Sequence, residues 1–226
     1  MAKEIPHIKS SLRHIIKVPE CIYRCSGIVI NGKRIKSLVF STDVAIIANC
    51  NADAVIAVYP FTPTMHITKA IIDVAQKPVF VGVGGGTTKG PRVTSIALDA
   101  ELYGAIGVVL NAPTKTRFVQ ELNEIVDIPV VLTIVSIDEP LEERMLYSGA
   151  SIVNVSGGKN TVNIVRALRK IDKDFPIIAT GGPNEKTILE VIEAGANAIT
   201  YTPPTNGEIF KGMMERYRIQ CHTQEE

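Results

Sequence analysis

Short apolar runs open at two kinds of punctuation that alternate along the 226 residues. One series follows proline, at Pro78-Val79-Phe80-Val81, Pro129-Val130-Val131-Leu132 and Pro176-Ile177-Ile178-Ala179, with starts 51 and 47 residues apart. The other opens on a small residue plus alanine, at Asn51-Ala52, Gly104-Ala105, Gly149-Ala150 and Gly195-Ala196, with alanines 53, 45 and 46 residues apart. Proline at the first position of a strand forfeits no ladder hydrogen bond, and glycine after a helix adopts the left-handed exit conformation without a Cβ penalty. With Lys36–Ser41 added, eight strands are expected, at 36–41, 53–59, 78–83, 105–110, 129–135, 150–155, 176–180 and 197–202.

The stretches between them have helical period, as in Thr187-Ile188-Leu189-Glu190-Val191-Ile192-Glu193-Ala194. Eight β/α units with a two-unit repeat predict a single (β/α)8 TIM barrel over a doubly wound open sheet, because alternate strands supply alternate layers of a barrel interior. Composition agrees: 46% hydrophobic but 5% aromatic residues, with no Trp, leaves the Ala, Val and Ile that fill parallel strands buried on both faces. The expected division is a basic arm and hairpin over residues 1–35, the barrel over 36–218 and a tail over 219–226. Ser26-Gly27-Ile28-Val29-Ile30-Asn31-Gly32-Lys33-Arg34 carries the Asn-Gly hairpin signal, and its expected place is across the N-terminal mouth of the barrel.

Charge and cysteine content remove several classes. A net charge of +1 divides into seven Lys/Arg against two acids in residues 1–35 and seventeen against twenty-one in the rest. The basic arm lacks the aromatic interleaving of a nucleic-acid binder, so no nucleic-acid partner is expected. No apolar run reaches about 18 residues and Met1–Lys17 has no secretory apolar region, so no membrane partner and a cytoplasmic location are expected. The four cysteines form neither a disulfide framework nor a zinc pattern. A homo-oligomer is left open.

In a TIM barrel the active site is built from the loops that follow the strands. Those positions here hold hydroxyls, amides and glycines, with few carboxylates, which favours holding an anion by neutral donors. Ala179-Thr180-Gly181-Gly182-Pro183-Asn184 leads into a helix, where backbone N–H groups and the helix dipole can meet a phosphate. Pro176-Ile177-Ile178-Ala179-Thr180-Gly181-Gly182, followed by Glu193-Ala194-Gly195-Ala196-Asn197-Ala198-Ile199, resembles the seventh and eighth units of the phosphate-binding barrels. That superfamily includes ribulose-phosphate-binding enzymes, sugar-phosphate epimerases and barrels related to inosine-monophosphate dehydrogenase. The resemblance implies a small phosphorylated ligand and a site at these loops. It departs at Tyr201-Thr202-Pro203-Pro204, where two prolines remove two N–H donors from the second half of a phosphate cup, and Ser156-Gly157-Gly158-Lys159-Asn160 offers a replacement.

The expected ligand contacts are therefore Gly157, Gly158, Gly181, Gly182, Asn184, Asn111 and Asn154, together with Gly84, Gly85 and Gly86 from a loop read as a lid or close backbone approach. That loop fits neither dinucleotide nor P-loop fingerprints. Lys159, His66, Lys89 and Asp43, with Lys115 and Asp138 beside them, are the acid–base candidates, and helix capping is the competing role of Asp43. No metal and no cofactor are expected. The leading expectation is an isomerase, epimerase or lyase working by proton transfer on a phosphorylated metabolite. FMN with oxidoreductase chemistry, a non-catalytic ligand-binding barrel and a hydrolase are the alternatives, although Gly-x-Ser-x-Gly is absent. A Schiff-base aldolase is disfavoured because 129–135 and 150–155 contain no Lys.

Overall fold

Each proline-opened run becomes a strand, and the proline carbonyl shows why the residue is tolerated there. In the computed structural model, which describes residues 16–223, Val55 N donates to Pro78 O at 2.8 Å, Val108 N to Pro129 O at 3.0 Å and Val153 N to Pro176 O at 3.1 Å. The proline is thus an acceptor at the foot of the ladder and its missing donor costs nothing. The other openings depend on helix exits: Gly104, Gly149 and Gly195 have φ of 94°, 81° and 113°, a region in which a Cβ is strained.

After a 3-10 turn at Glu20–Arg24 comes a hairpin, β1 (Ile28–Ile30) and β2 (Lys33–Ile35), paired antiparallel through the Asn31-Gly32 turn. Eight barrel strands follow: β3 (Ser37–Phe40), β4 (Ala54–Ala57), β5 (Val79–Gly85), β6 (Gly107–Asn111), β7 (Val130–Ile134), β8 (Ile152–Val155), β9 (Ile177–Thr180) and β10 (Ala198–Tyr201). All neighbours are parallel, and β10 pairs with both β9 and β3, which closes the ring and excludes the open sheet. Helices α1 (Val44–Ala48), α2 (Met65–Ala75), α3 (Pro91–Leu102), α4 (Thr116–Asn123), α5 (Thr161–Ile171), α6 (Glu185–Glu193) and α7 (Asn206–Thr223) pack outside. A π-helical turn, Glu143–Tyr147, takes the helix position after β7. The last helix runs past the expected boundary at 218, so residues 219–223 continue it. Residues 1–15 of the basic arm lie outside the described residues.

Two apolar clusters hold the fold. The inner one stacks Leu38, Ile56, Phe80, Val109, Val131, Ile152 and Ile178 inside the barrel, and Ile28, Ile30 and Ile35 of the hairpin join it. The hairpin therefore packs over the N-terminal mouth. Each such buried side chain contributes about 1.5–3 kcal/mol. The outer cluster joins strand backs to helices, with Val108, Leu110, Leu132 and Ile164 among its members.

Polar groups at the sealed end are tied closely. Arg169 donates to the carbonyls of Gly195 (2.9 Å) and Phe175 (2.6 Å) and to Asn197 Oδ1 (2.6 Å). The same Asn197 oxygen accepts from Ile177 N at 2.8 Å, and Asn197 Nδ2 donates to Ser26 Oγ at 2.9 Å. Strand feet and hairpin are thereby joined in one network. Among the described residues no helix is long and apolar enough to cross a membrane.

Candidate active site at the open mouth

Parallel partners in register share a sheet face, so the inner cluster identifies which residues point into the barrel. Val131 and Ile152 are paired inside, and two residues later Thr133 pairs with Asn154. Thr200 pairs with Leu38 on one side and Thr180 on the other. Asn111 stands two residues beyond the inward Val109. Asn111, Thr133, Asn154, Thr180 and Thr200 thus form a polar floor at the C-terminal end of the barrel.

The floor is incompletely bonded. Asn154 Nδ2 donates to Thr133 Oγ1 at 3.4 Å, while Asn154 Oδ1 and Thr200 Oγ1, on residues only 9% and 6% exposed, have no hydrogen-bond partner. None of the eight barrel strands carries a charged residue, so this end of the barrel offers neutral dipoles only.

Around the floor, most of the expected ligand contacts are already committed. Gly181 N donates to Thr200 O at 3.2 Å and Gly157 N to Thr161 Oγ1 at 3.2 Å. A Cβ on Gly181 would lie 2.6 Å from Ile199 Cγ2, so close strand-to-helix packing accounts for this glycine. Asn184 Oδ1 caps α6 by accepting from Thr187 N at 3.0 Å, within a reciprocal capping box. The amides of Gly158 and Gly182 alone of the four loop glycines have no partner among the described residues. An anion cup here would rest on these two donors.

The loop after β5 is a fastened turn rather than a free lid. Gly85 N donates to Thr88 O at 3.0 Å, Thr88 N returns to Gly85 O at 3.3 Å, and Gly86 N reaches Pro113 O at 3.1 Å. A Cβ on Gly85 would collide with the Asn111 carbonyl, and one on Gly84 would lie 2.7 Å from Val93 Cγ2. Gly84, Gly85 and Gly86 are required by packing and backbone geometry whether or not a ligand approaches.

The acid–base candidates are dispersed. Asp43 Oδ1 accepts from Ala45 N (2.9 Å) and Ile46 N (3.2 Å), and its Oδ2 accepts from Asn206 Nδ2 at 2.6 Å, so it caps α1 and tethers the start of α7. His66 is exposed in the first turn of α2, and Lys159 is exposed in the turn Gly158–Asn160 after β8. Lys89 lines a cavity between α3 and α4, outside the barrel wall. No hydrogen bond or ion pair joins any two of them.

A feature that sequence reading missed supports the rim. Arg144, in the π-helical turn, is 6% exposed and pairs through Nε with Glu139 Oε2 at 2.7 Å. Its Nη1 donates to Thr114 O at 2.7 Å, and Glu139 Oε1 accepts from Val135 N and Ser136 N at 2.8 and 3.1 Å. This buried pair fixes the loops after β6 and β7 to one another. Thr200 was also missed, because it lies within a strand; only alternation from the inward Ala198 marks it.

No protein-family model matches the chain, and no curated protein matches it by sequence. Solved structures do match its fold. A 2,3-dimethylmalate lyase, a member of the PEP mutase/isocitrate lyase superfamily, aligns with TM-score 0.61 at 13% identity, over 89% of this chain and 85% of its own. A phosphonopyruvate hydrolase in complex with oxalate and Mg++ aligns with TM-score 0.60 at 10% identity, over 87% and 84%. A dihydrodipicolinate synthase from Bacillus anthracis aligns with TM-score 0.58 at 15% identity, over 84% and 76%.

At such identities the likeness establishes the TIM-barrel fold. It bears out the barrel in the resemblance drawn from the sequence and leaves the phosphate-binding branch undecided. It also corrects the expectation of no cofactor, since the hydrolase of the same fold is recorded with Mg++. The residues of this chain do not reproduce a metal set at the mouth: among those described, no three His, Cys, Asp or Glu converge. Asp43 and Glu139, two of the carboxylates tied into the rim, are spent on helix amides and on Arg144 and loop amides.

Proposed function

We propose that the open mouth binds a small phosphorylated metabolite and acts on it as a lyase, isomerase or epimerase by proton transfer. The observation that carries this reading is the pair of unpartnered buried oxygens, Asn154 Oδ1 and Thr200 Oγ1. Each such group costs about 1–3 kcal/mol unless something completes its bonding, so a polar ligand is the economical reason for their presence. Asn154 Oδ1 can accept from a substrate hydroxyl, while Thr200 Oγ1 can donate to or accept from it.

The anionic end is assigned to the rim. The free amides of Gly158 and Gly182 supply directed donors, and Lys159 adds a positive charge beside the first. The barrel strands hold no charged side chain, and the one ionisable group on them, Tyr201, packs against the outer cluster, so the proton carriers are sought outside the strands, with Lys159 and His66 the candidates. The lyase and mutase names among the similar folds support this class by analogy of fold only.

Thermal-shift assays with phosphosugars, phosphonates, 2-oxo acids and inorganic phosphate, each with and without Mg2+, test the proposal. A ligand at 100 times its Kd adds about 2.7 kcal/mol of stability, so at least one member should raise Tm by several degrees. No rise at millimolar ligand in either buffer rejects it.

A non-catalytic ligand-binding barrel is the second reading, favoured by the uncharged strands and by the capping role of Asp43. The two part on turnover. A stabilising ligand that proton NMR finds chemically unchanged and without solvent-deuterium incorporation after prolonged incubation supports the second and excludes the first.

A further inference from the structure

We propose that the cavity between α3 and α4 is a binding site for a small amphipathic organic acid, separate from the barrel mouth. The cavity measures about 630 Å3, within the size range of small-molecule sites. Its inner wall is apolar, formed by Val93, Leu110 and Phe118. Leu110 belongs to the outer cluster, whereas its neighbours Val109 and Asn111 face the barrel interior. Strand β6 therefore stands between this cavity and the polar floor, and the proposal does not depend on what the mouth binds.

The edge of the cavity is cationic. Lys89, Lys115 and Arg117 line it against one acid, Glu121, and none of the three cations forms an ion pair among the described residues. Arg117 lies over the Phe118 ring at 5.1 Å, which joins the charged edge to the apolar wall. Thr88, also lining the cavity and only 6% exposed, makes no side-chain hydrogen bond among the described residues. Its hydroxyl is therefore free to bond a ligand at the cavity wall.

Two helix starts agree in sign. α3 and α4 both begin at this cavity without a side-chain cap and without an acid in the first turn, so their positive ends are uncompensated. α6, by contrast, carries Asn184 as cap and Glu185 in its first turn. Apolar wall, three unpaired cations and an unused hydroxyl together fit a carboxylate or phosphate head on a hydrocarbon body.

Titration calorimetry with decanoate, decyl phosphate and decanol tests the site on the full chain. Both anions should bind saturably with one site, and decanol at least about tenfold more weakly. Replacing the edge charges in Lys89→Ala/Lys115→Ala/Arg117→Ala, all exposed, should weaken anion binding by about tenfold or more and flatten its salt dependence. Thr94→Trp should fill the cavity and abolish binding. Since the chain has no Trp, blue-shifted emission from the new indole will report that it is buried there. Absence of saturable binding, decanol binding as tightly as decanoate, or an unchanged affinity in the charge-removed variant overturns the proposal.

Discussion

At the N-terminal end of the barrel, Ile28, Ile30 and Ile35 close over an apolar interior, and the polar groups nearby, Asn197 and Arg169, have their main bonds made. At the C-terminal end, Thr133, Asn154 and Thr200 replace the aliphatic residues, and two of their oxygens go unpaired. The same strands supply both ends, so the difference cannot come from the backbone. One end satisfies itself, and its residues are explained by stability. The other carries an unmet bonding demand, which stability does not explain.

The contrast should appear in unfolding measurements. Phe80→Ala, which empties the largest fully buried side chain from the inner cluster, should cost about 3–5 kcal/mol in denaturant unfolding. A loss under about 1 kcal/mol would mean that the sealed end is not the stabilising one. Asn197→Ala should cost about 2–3 kcal/mol, since it strands the Ile177 amide and one Arg169 donor.

A pH scan gives a more gradual effect at the same end. Burial raises the Cys25 thiol from 9.0 to about 12. Its contribution is fully present below pH 9, where the thiol is protonated in both states, and is lost between pH 9 and about 12 as only the unfolded chain releases the proton. Cys25→Ala should flatten that alkaline fall, and an unchanged profile would remove Cys25 as its cause. At the open end Thr200→Val, nearly isosteric, should change stability by less than about 0.5 kcal/mol or raise it, because it removes an unpaired hydroxyl. A loss above about 1.5 kcal/mol would show that the hydroxyl is already used by the fold.

The barrel was legible because its punctuation has local causes: a proline can only open these strands and a glycine best closes these helices. The candidate site was legible only where a polar residue stood close to a strand end. Asn154 was picked out, since it stands near the strand end, but Thr200 was not. The loop glycines misled for a physical reason. Gly181 and Gly157 look like anion donors in sequence, yet their amides are consumed by Thr200 O and Thr161 Oγ1, and their missing side chains make room for Ile199 and Ile164. Capping likewise absorbed Asp43 and Asn184, as their positions before helices allowed. The Arg144–Glu139 pair is local in sequence, but its bond to Thr114 O, like the outer cavity, depends on contacts between distant segments, which no spacing announces.

The most direct test of the polar floor is the ligand-induced rise in Tm of Thr200→Val, measured beside the unmodified protein with the most stabilising member of the metabolite panel. The unmodified protein should gain several degrees, and Thr200→Val, equally stable without ligand, should lose most of that gain. An undiminished rise in Thr200→Val would contradict the assignment of ligand binding to the floor of the barrel.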